Sequence, residues 1–422
     1  MGRIAGWIAG ILAIGIALAA AGLFLFRPAV PTKPVISDFR IYSTPALPPT
    51  LNTPQAQVSV AALASMSLEQ RIRSLLIVSK PGTDASSLDG FLSVTGAGGF
   101  ILMKPNVPAT PAELSALDAT LRGNSAFPRL IAIDEEGGVV TRLPYDAYAG
   151  AETLRDLPVT ETQVAFTHRG ALLAQVGANL NFGIVADISA DPQSFIYSRS
   201  FGKDPASVAE RVAAAVTGEK KSGVLSTLKH FPGHGAAPGD SHTSVPSTGM
   251  DFATWKSTEA VPFLQGVTAG APTVMFGHLA YTAVDTKPAS LSTTWHEILR
   301  EKLGFTGLAV TDDMLMLQRT KLPEFADANE NAVRAITAGN DVLVYVFGDD
   351  PASSGVNIDQ LVGSVSAAVA SGRISEQRIN EAALRVMTAR RGLSASAASD
   401  PQACNIGCTI GYSLLFPHSA HK

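Results

Sequence analysis

The sequence predicts an α/β protein, a single (β/α)8 barrel of TIM type preceded by an N-terminal transmembrane helix or signal segment. Three observations lead there. Short apolar runs rich in β-branched residues recur eight times between roughly residues 61 and 393. Helix-like stretches separate them, and polar residues gather where the runs end. Continuous apolar strands alternating with helices imply a parallel sheet covered on both faces, and eight repeats are the number that closes a barrel. An open doubly wound sheet would usually carry a glycine-rich phosphate turn after its first strand, and none is present.

The elements follow in chain order. Residues 4–26 form an uncharged apolar run, Ile4 to Phe26, bracketed by Arg3 and Arg27. About 20 apolar residues span a bilayer core, so an uncleaved anchor is expected, with a cleaved signal peptide as the alternative because Ala19-Ala20-Ala21 could form a cleavage site. Arg3 and the free amine favour an N-in topology with the rest exported. A proline-rich spacer is expected over residues 28–60, then the barrel over 61–393, then a small-residue tail over 394–422. In that tail Cys404 and Cys408 are spaced for a small disulfide in an oxidising compartment, or for two free thiols.

The eight candidate strands are Leu75–Ser79, Gly99–Met103, Leu130–Asp134, Leu180–Asp187, Val224–His230, Thr273–His278, Leu308–Asp312 and Val342–Phe347. Helices are expected, among others, at Pro111–Arg122, Glu161–Val176, Pro205–Lys221, Thr293–Lys302 and Phe325–Ala338. Composition narrows the function. The chain has 422 residues, is 46% hydrophobic and 16% charged, which excludes disorder and a coiled coil. A net charge of −4 leaves no basic footprint for nucleic acid. Two cysteines exclude a disulfide scaffold and a cysteine-rich zinc module.

Chemistry concentrates at the strand ends: Asp134-Glu135, Asp187, Lys229-His230, His278 and Asp312-Asp313. In a barrel these ends share one mouth, and a carboxylate or histidine after an apolar run is costly to bury unless it is paired or lines that mouth. The densest segment, KHFPGHGAAPGDSH at 229–242, supports two readings. His230 and His234 have the i, i+4 spacing of helical zinc ligands, but Pro232 and Gly233 break any helix between them. Alternatively the segment is a loop in which Asp240 orients His242 as a general acid/base. His234 alone reads as structural. In FTGLAVTDDML, Asp312 is placed to enter the mouth as a nucleophile and Asp313 to cap the next helix, although both could be caps. In IAIDEEGGVVTRL, Asp134 ends a strand and Arg142 returns towards it. Arg199 lies in SRSFGKDP after the fourth strand.

Together D-x-E-G-G-x-V-x-R at 134–142, R-S-F-G-x-D-P at 199–205, K-H-F-P-G-H-G-x4-D-S-H at 229–242 and G-F-x-G-x-x-x-T-D-D at 304–313 resemble the family 3 glycoside hydrolases, in their bacterial β-N-acetylglucosaminidase branch. The resemblance implies a single barrel and a retaining double displacement. Asp312 would be the nucleophile and His242, polarised by Asp240, the acid/base. Asp134, Arg142, Arg199, Lys229 and His230 would hold an N-acetylglucosamine ring. The expected substrate is an N-acetylglucosamine-containing glycan or muropeptide, with no cofactor, no metal and a monomeric chain at the outer side of the inner membrane, or secreted if the segment is cleaved. Many relatives carry Gln at the position of Glu135, so a contact of this extra carboxylate with the sugar, or an effect on nearby pKa values, is an open expectation. Four alternatives stand beside this reading: phosphorolysis, since an imidazole acid/base does not repel an anionic acceptor; another β-glycosidase of the same family; a silent glycan-binding barrel at the envelope; and a metal hydrolase.

Overall fold

A computed structural model describes residues 54–348 and 351–399. The apolar segment, most of the spacer, and Cys404 and Cys408 lie outside the described residues. Among the described residues, no helix is long and apolar enough to cross a membrane.

Eight parallel strands close a barrel: β1 (Leu76–Val78), β2 (Gly99–Leu102), β3 (Leu130–Ile133), β4 (Leu180–Val185), β5 (Leu225–Phe231), β6 (Thr273–Phe276), β7 (Leu308–Asp313) and β8 (Val342–Tyr345). Each pairs with the next, and β8 closes onto β1 with Tyr345 opposite Val78. Every strand falls on one of the eight apolar runs, with β5 and β7 reaching one residue further, to Phe231 and Asp313. The strands read as unbroken apolar runs because nearly every position is buried, against the barrel interior or the helical ring. Ile131, Leu180, Leu228 and Val310 are fully buried. Each such side chain contributes roughly 1.5–3 kcal/mol relative to an exposed position.

Local signals set the helix ends. Thr110 caps Pro111–Arg122 through a capping box with Glu113, and Asp204 caps Pro205–Glu219. The helix expected from Phe325 instead begins at Ala328, because Asp327 accepts the amides of Asn329 and Glu330 and leaves Pro323–Phe325 as a separate turn. Thr293–Lys302 divides into an α-helix to Glu297 and a π-turn over Ile298–Lys302. Helix Pro54–Ala64 begins inside the stretch expected to be spacer and packs on Glu376–Ser399, which itself runs past Leu393 into the stretch expected to be tail. The Ala/Ser composition of that stretch suits a helix, since alanine has the highest helix propensity.

Two features position the mouth. A cluster of Phe231, Trp255, Phe263, Phe276 and Trp295 packs edge-to-face at the end of β5, and Trp255 Nε1 donates to the Pro232 carbonyl at 2.8 Å. The ladders around β5 and between β7 and β8 shift register near Leu228–Phe231 and Asp313. Such irregularities re-aim side chains, here on the strands that carry Lys229, His230 and Asp312.

Candidate active site

The strand ends surround a cavity of about 490 Å³, within the range of small-ligand sites. Asp134, Arg142, Arg199, Lys229, His230, His242 and Asp312 all line it. The structure therefore brings together every cavity residue expected from the sequence, with Asp240 behind His242.

The floor is an interlocked set of charges. Lys229 Nζ, on β5, lies 3.0 Å from Asp134 and 2.7 Å from Glu136. Arg199 bonds Glu136 through both Nε (3.0 Å) and Nη2 (2.7 Å), a bidentate pair. Arg142 Nη2 donates to Asp134 at 3.2 Å, so Arg142 returns to the strand end as expected and forms an ion pair there. Burial pushes the Asp134 carboxyl up, but Lys229, Arg142 and Arg199 outweigh it and hold the group at about 2. Glu136 is likewise held below its usual range: burial raises it and the Arg199 and Lys229 charges more than compensate. Both are carboxylates able to accept from hydroxyl groups. Arg142 Nε is buried and bonds no acceptor among the described residues.

Sequence reasoning placed neither Glu136 nor Asp187 among the site residues. Glu136 belongs to the D-x-E-G-G motif, and its two-residue offset from Asp134 was the available signal. Gly137 makes the turn that follows, with φ of 79°, and a Cβ there would lie 2.1 Å from Arg169 Nη2. Asp187 is fully buried two residues beyond β4. It accepts from the His230 amide, from His230 Nδ1 at 2.7 Å and from the His234 amide at 2.6 Å. Arg199 Nη2 faces His230 Nε2 at 3.3 Å. A guanidinium only donates, so Nε2 accepts and Nδ1 carries the proton shared with Asp187. Asp187 thus sets both the ring and the root of the following loop.

Glu135 corrects an expectation. It does not line the cavity. Its Oε2 accepts from the amides of Arg142 (2.8 Å) and Leu143 (3.0 Å), on the side away from the ligand space. Burial, only partly offset by those two amides, raises its pKa to about 7. His234 is structural, as expected: it bonds Ser241 at 3.1 Å, and burial pushes its pKa down to about 4. His278, also fully buried, accepts from Ser290 and donates to the Asp313 carbonyl at 3.0 Å, bracing the end of β7.

Asp312 stands at that end, half-buried, with Oδ1 accepting from the Asp313 amide at 2.8 Å. Burial raises its pKa, but His230, His278, the Asp313 amide and Lys229 outweigh this and keep it an ionised carboxylate. Asp313 turns away to accept from the amides of Leu315 and Val346; the cap position expected of it falls to Met314, and Asp313 instead joins the helix start to the end of β8. Above them, His242 Nδ1 lies 2.7 Å from Asp240 Oδ1, and Asp240 also accepts the His242 amide. The pair is solvent-exposed, with Phe195 packed edge-on to the imidazole at 5.4 Å.

An ionised carboxylate on the cavity floor, an imidazole–carboxylate pair at its mouth and a charged cradle between them define a site for acid/base-assisted displacement at a polyhydroxylated ligand. Residues 67–389 match the glycosyl hydrolase family 3 N-terminal domain. The chain belongs to that family and is a glycoside hydrolase. It is 35% identical over 255 residues to a β-hexosaminidase of Xylella fastidiosa, covering 57% of this chain and 75% of the relative. A β-hexosaminidase of Nitrosomonas eutropha is 30% identical over 318 residues, covering 72% and 88%. A solved family 3 β-N-acetylglucosaminidase from a Paenibacillus species superposes with a TM-score of 0.70 at 30% identity, over 83% of this chain and 65% of that longer one.

Proposed function

We propose that the protein is a retaining, exo-acting β-N-acetylhexosaminidase that removes terminal N-acetylglucosamine from peptidoglycan-type glycans. The observation that carries the reading is the placement of Asp312 and the Asp240–His242 pair around one cavity whose floor is the Asp134–Glu136–Lys229–Arg199 set. In the first step an Asp312 oxygen attacks the anomeric carbon. The glycosidic bond breaks, and protonated His242 passes its Nε2 proton to the departing oxygen. In the second step His242 takes a proton from water as the water oxygen attacks the same carbon, which releases Asp312. Asp240 holds the imidazole through Nδ1, while its own carboxyl stays ionised because the His242 hydrogen bonds outweigh its partial burial. Asp134 and Glu136 accept from ring hydroxyls, and Arg142, Arg199, Lys229 and His230 fix the ring. A cavity that ends on a charged floor fits one terminal sugar, which supports exo action.

Two inversions at one carbon give net retention. Proton NMR of the first-formed sugar from an aryl N-acetyl-β-glucosaminide is expected to show the β anomer, and the α anomer would contradict the double displacement. Assays in phosphate and phosphate-free buffer, with sugar 1-phosphate measured, separate water from phosphate as acceptor. The apolar run at residues 4–26 supports placing the enzyme on the outer face of the inner membrane, acting there as a monomer. Fractionation of cells producing the full chain tests the location.

A further inference from the structure

Arg319 differs from the other cations around the cavity. Lys229, Arg199 and Arg142 are committed to the floor carboxylates. Arg319 is the last residue of the short helix Leu315–Arg319 that follows Asp312-Asp313, and it lines the same cavity with a side chain 46% exposed. Its Nη1 pairs with Asp313 Oδ2 at 3.0 Å. Its Nε and Nη2 bond no acceptor among the described residues, which leaves one edge of the guanidinium fork open. Asp313 cannot follow Arg319 outward, because the amides of Leu315 and Val346 hold its other oxygen.

Beside Arg319 the cavity is lined by the partly exposed, uncharged Val139, Phe195 and Ser198, with Asp313 and His242. Deeper in the cavity, the carboxylates of Asp134 and Glu136 engage Lys229, Arg199 and Arg142, so these cations are already paired. A negative group on a substrate therefore finds its open cationic edge at Arg319, on the exposed side of the cavity. In an exo-acting enzyme the mouth receives the aglycone, not the sugar being released.

We infer that Arg319 is a specificity-determining residue that holds a carboxylate on the aglycone with its free Nε and Nη2 edge. A guanidinium fork matches a carboxylate in a way that a point charge does not. The substrates favoured are β-N-acetylglucosaminides whose leaving group carries a carboxylate. The inference rests on the glycosidase reading above, because only then is there an aglycone.

The test uses two probes, 4-carboxyphenyl and 4-carbamoylphenyl N-acetyl-β-glucosaminide, which differ in charge and little in shape. For the wild type at low salt, kcat/KM is expected to favour the acid about tenfold, mostly through KM, and to lose that preference as ionic strength rises. In Arg319→Gln the acid-to-amide ratio is expected to fall about tenfold, and Arg319→Lys to recover part of it. A wild type with no preference would overturn the inference. So would an Arg319→Gln variant that loses equally on both probes, since the residue would then act only by steadying Asp313. Turnover of neither probe by folded wild type would instead overturn the glycosidase reading, and this inference with it.

Discussion

On the cavity floor Lys229 is 2% exposed and Glu136 5%, each held by charged partners from a different strand or loop. In the loop after β5, the side chains of Asp240 and His242 are 44% and 53% exposed and hold chiefly each other. The two regions carry similar chemistry, carboxylates beside nitrogen bases, under opposite constraints. The floor charges are buried and paired, as a set that holds a ligand in a fixed orientation requires. On the proposed mechanism the Asp240–His242 pair exchanges protons with leaving group and water in turn, and its exposure gives it the solvent access this needs. Asp312 lies between these regimes, half-buried and kept ionised by the floor.

The largest effect is expected at that junction. Asp312→Ala should lower kcat by on the order of 10⁴-fold with an unchanged melting temperature, measured by initial rates and calorimetry. Residual activity within tenfold of wild type would remove Asp312 from the chemistry. Lys229→Ala should behave differently, because it takes away the cation shared by two buried carboxylates and leaves each with a single arginine. A destabilisation of about 3–5 kcal/mol in denaturant titration is expected, together with a raised KM. A stable Lys229→Ala protein would mean that the floor is more hydrated than its burial implies. In His242→Ala, stability should stay within about 0.5 kcal/mol of wild type, as for an exposed position. Its kcat should fall by roughly 10²–10⁴ for alkyl leaving groups and much less in the first turnover of a nitrophenyl glycoside, which departs without a proton.

The smallest effect is on acid stability. The folded pKa of Asp134 is depressed, so its contribution is present above its unfolded value of 3.8 and is lost as pH falls through about 2. The stability gap between wild type and Asp134→Asn, roughly 2 kcal/mol at pH 6, should therefore close between about pH 4 and pH 2. A gap that persists at pH 2 would mean the residue acts through packing. Asp240, whose carboxyl is also lowered but whose hydrogen bonds to His242 are exposed, should give an acid transition of the same sign and smaller size in Asp240→Asn.

The same contrast explains what was legible in the chain. The eight strands were visible because burial on both faces leaves unbroken apolar runs, as at Leu130–Ile133 and Val342–Tyr345. Cavity residues that end those runs were visible for the same reason, since Asp134, Lys229 and Asp312 interrupt an apolar pattern. Asp187 shows where local pattern fails. It too ends a run, but its role is to accept amides and a ring nitrogen more than forty positions away, and that pairing exists only in three dimensions. Glu135 and Glu136 are adjacent in sequence yet face opposite sides of the turn, so pattern alone could not say which one meets the ligand. The two-residue strands Ser247–Thr248 and Ala280–Tyr281 are too short to leave a periodic signal.

The central claim is that Asp312 carries the sugar covalently while His242 serves both half-reactions. With an activated nitrophenyl N-acetyl-β-glucosaminide, the first half-reaction needs no acid and the second still needs a base. His242→Ala quenched during turnover should therefore accumulate a protein heavier by one sugar residue in intact mass spectrometry, and digestion should place that sugar on the peptide containing Asp312. A burst of nitrophenol without any adduct, or an adduct on another residue, would contradict the account.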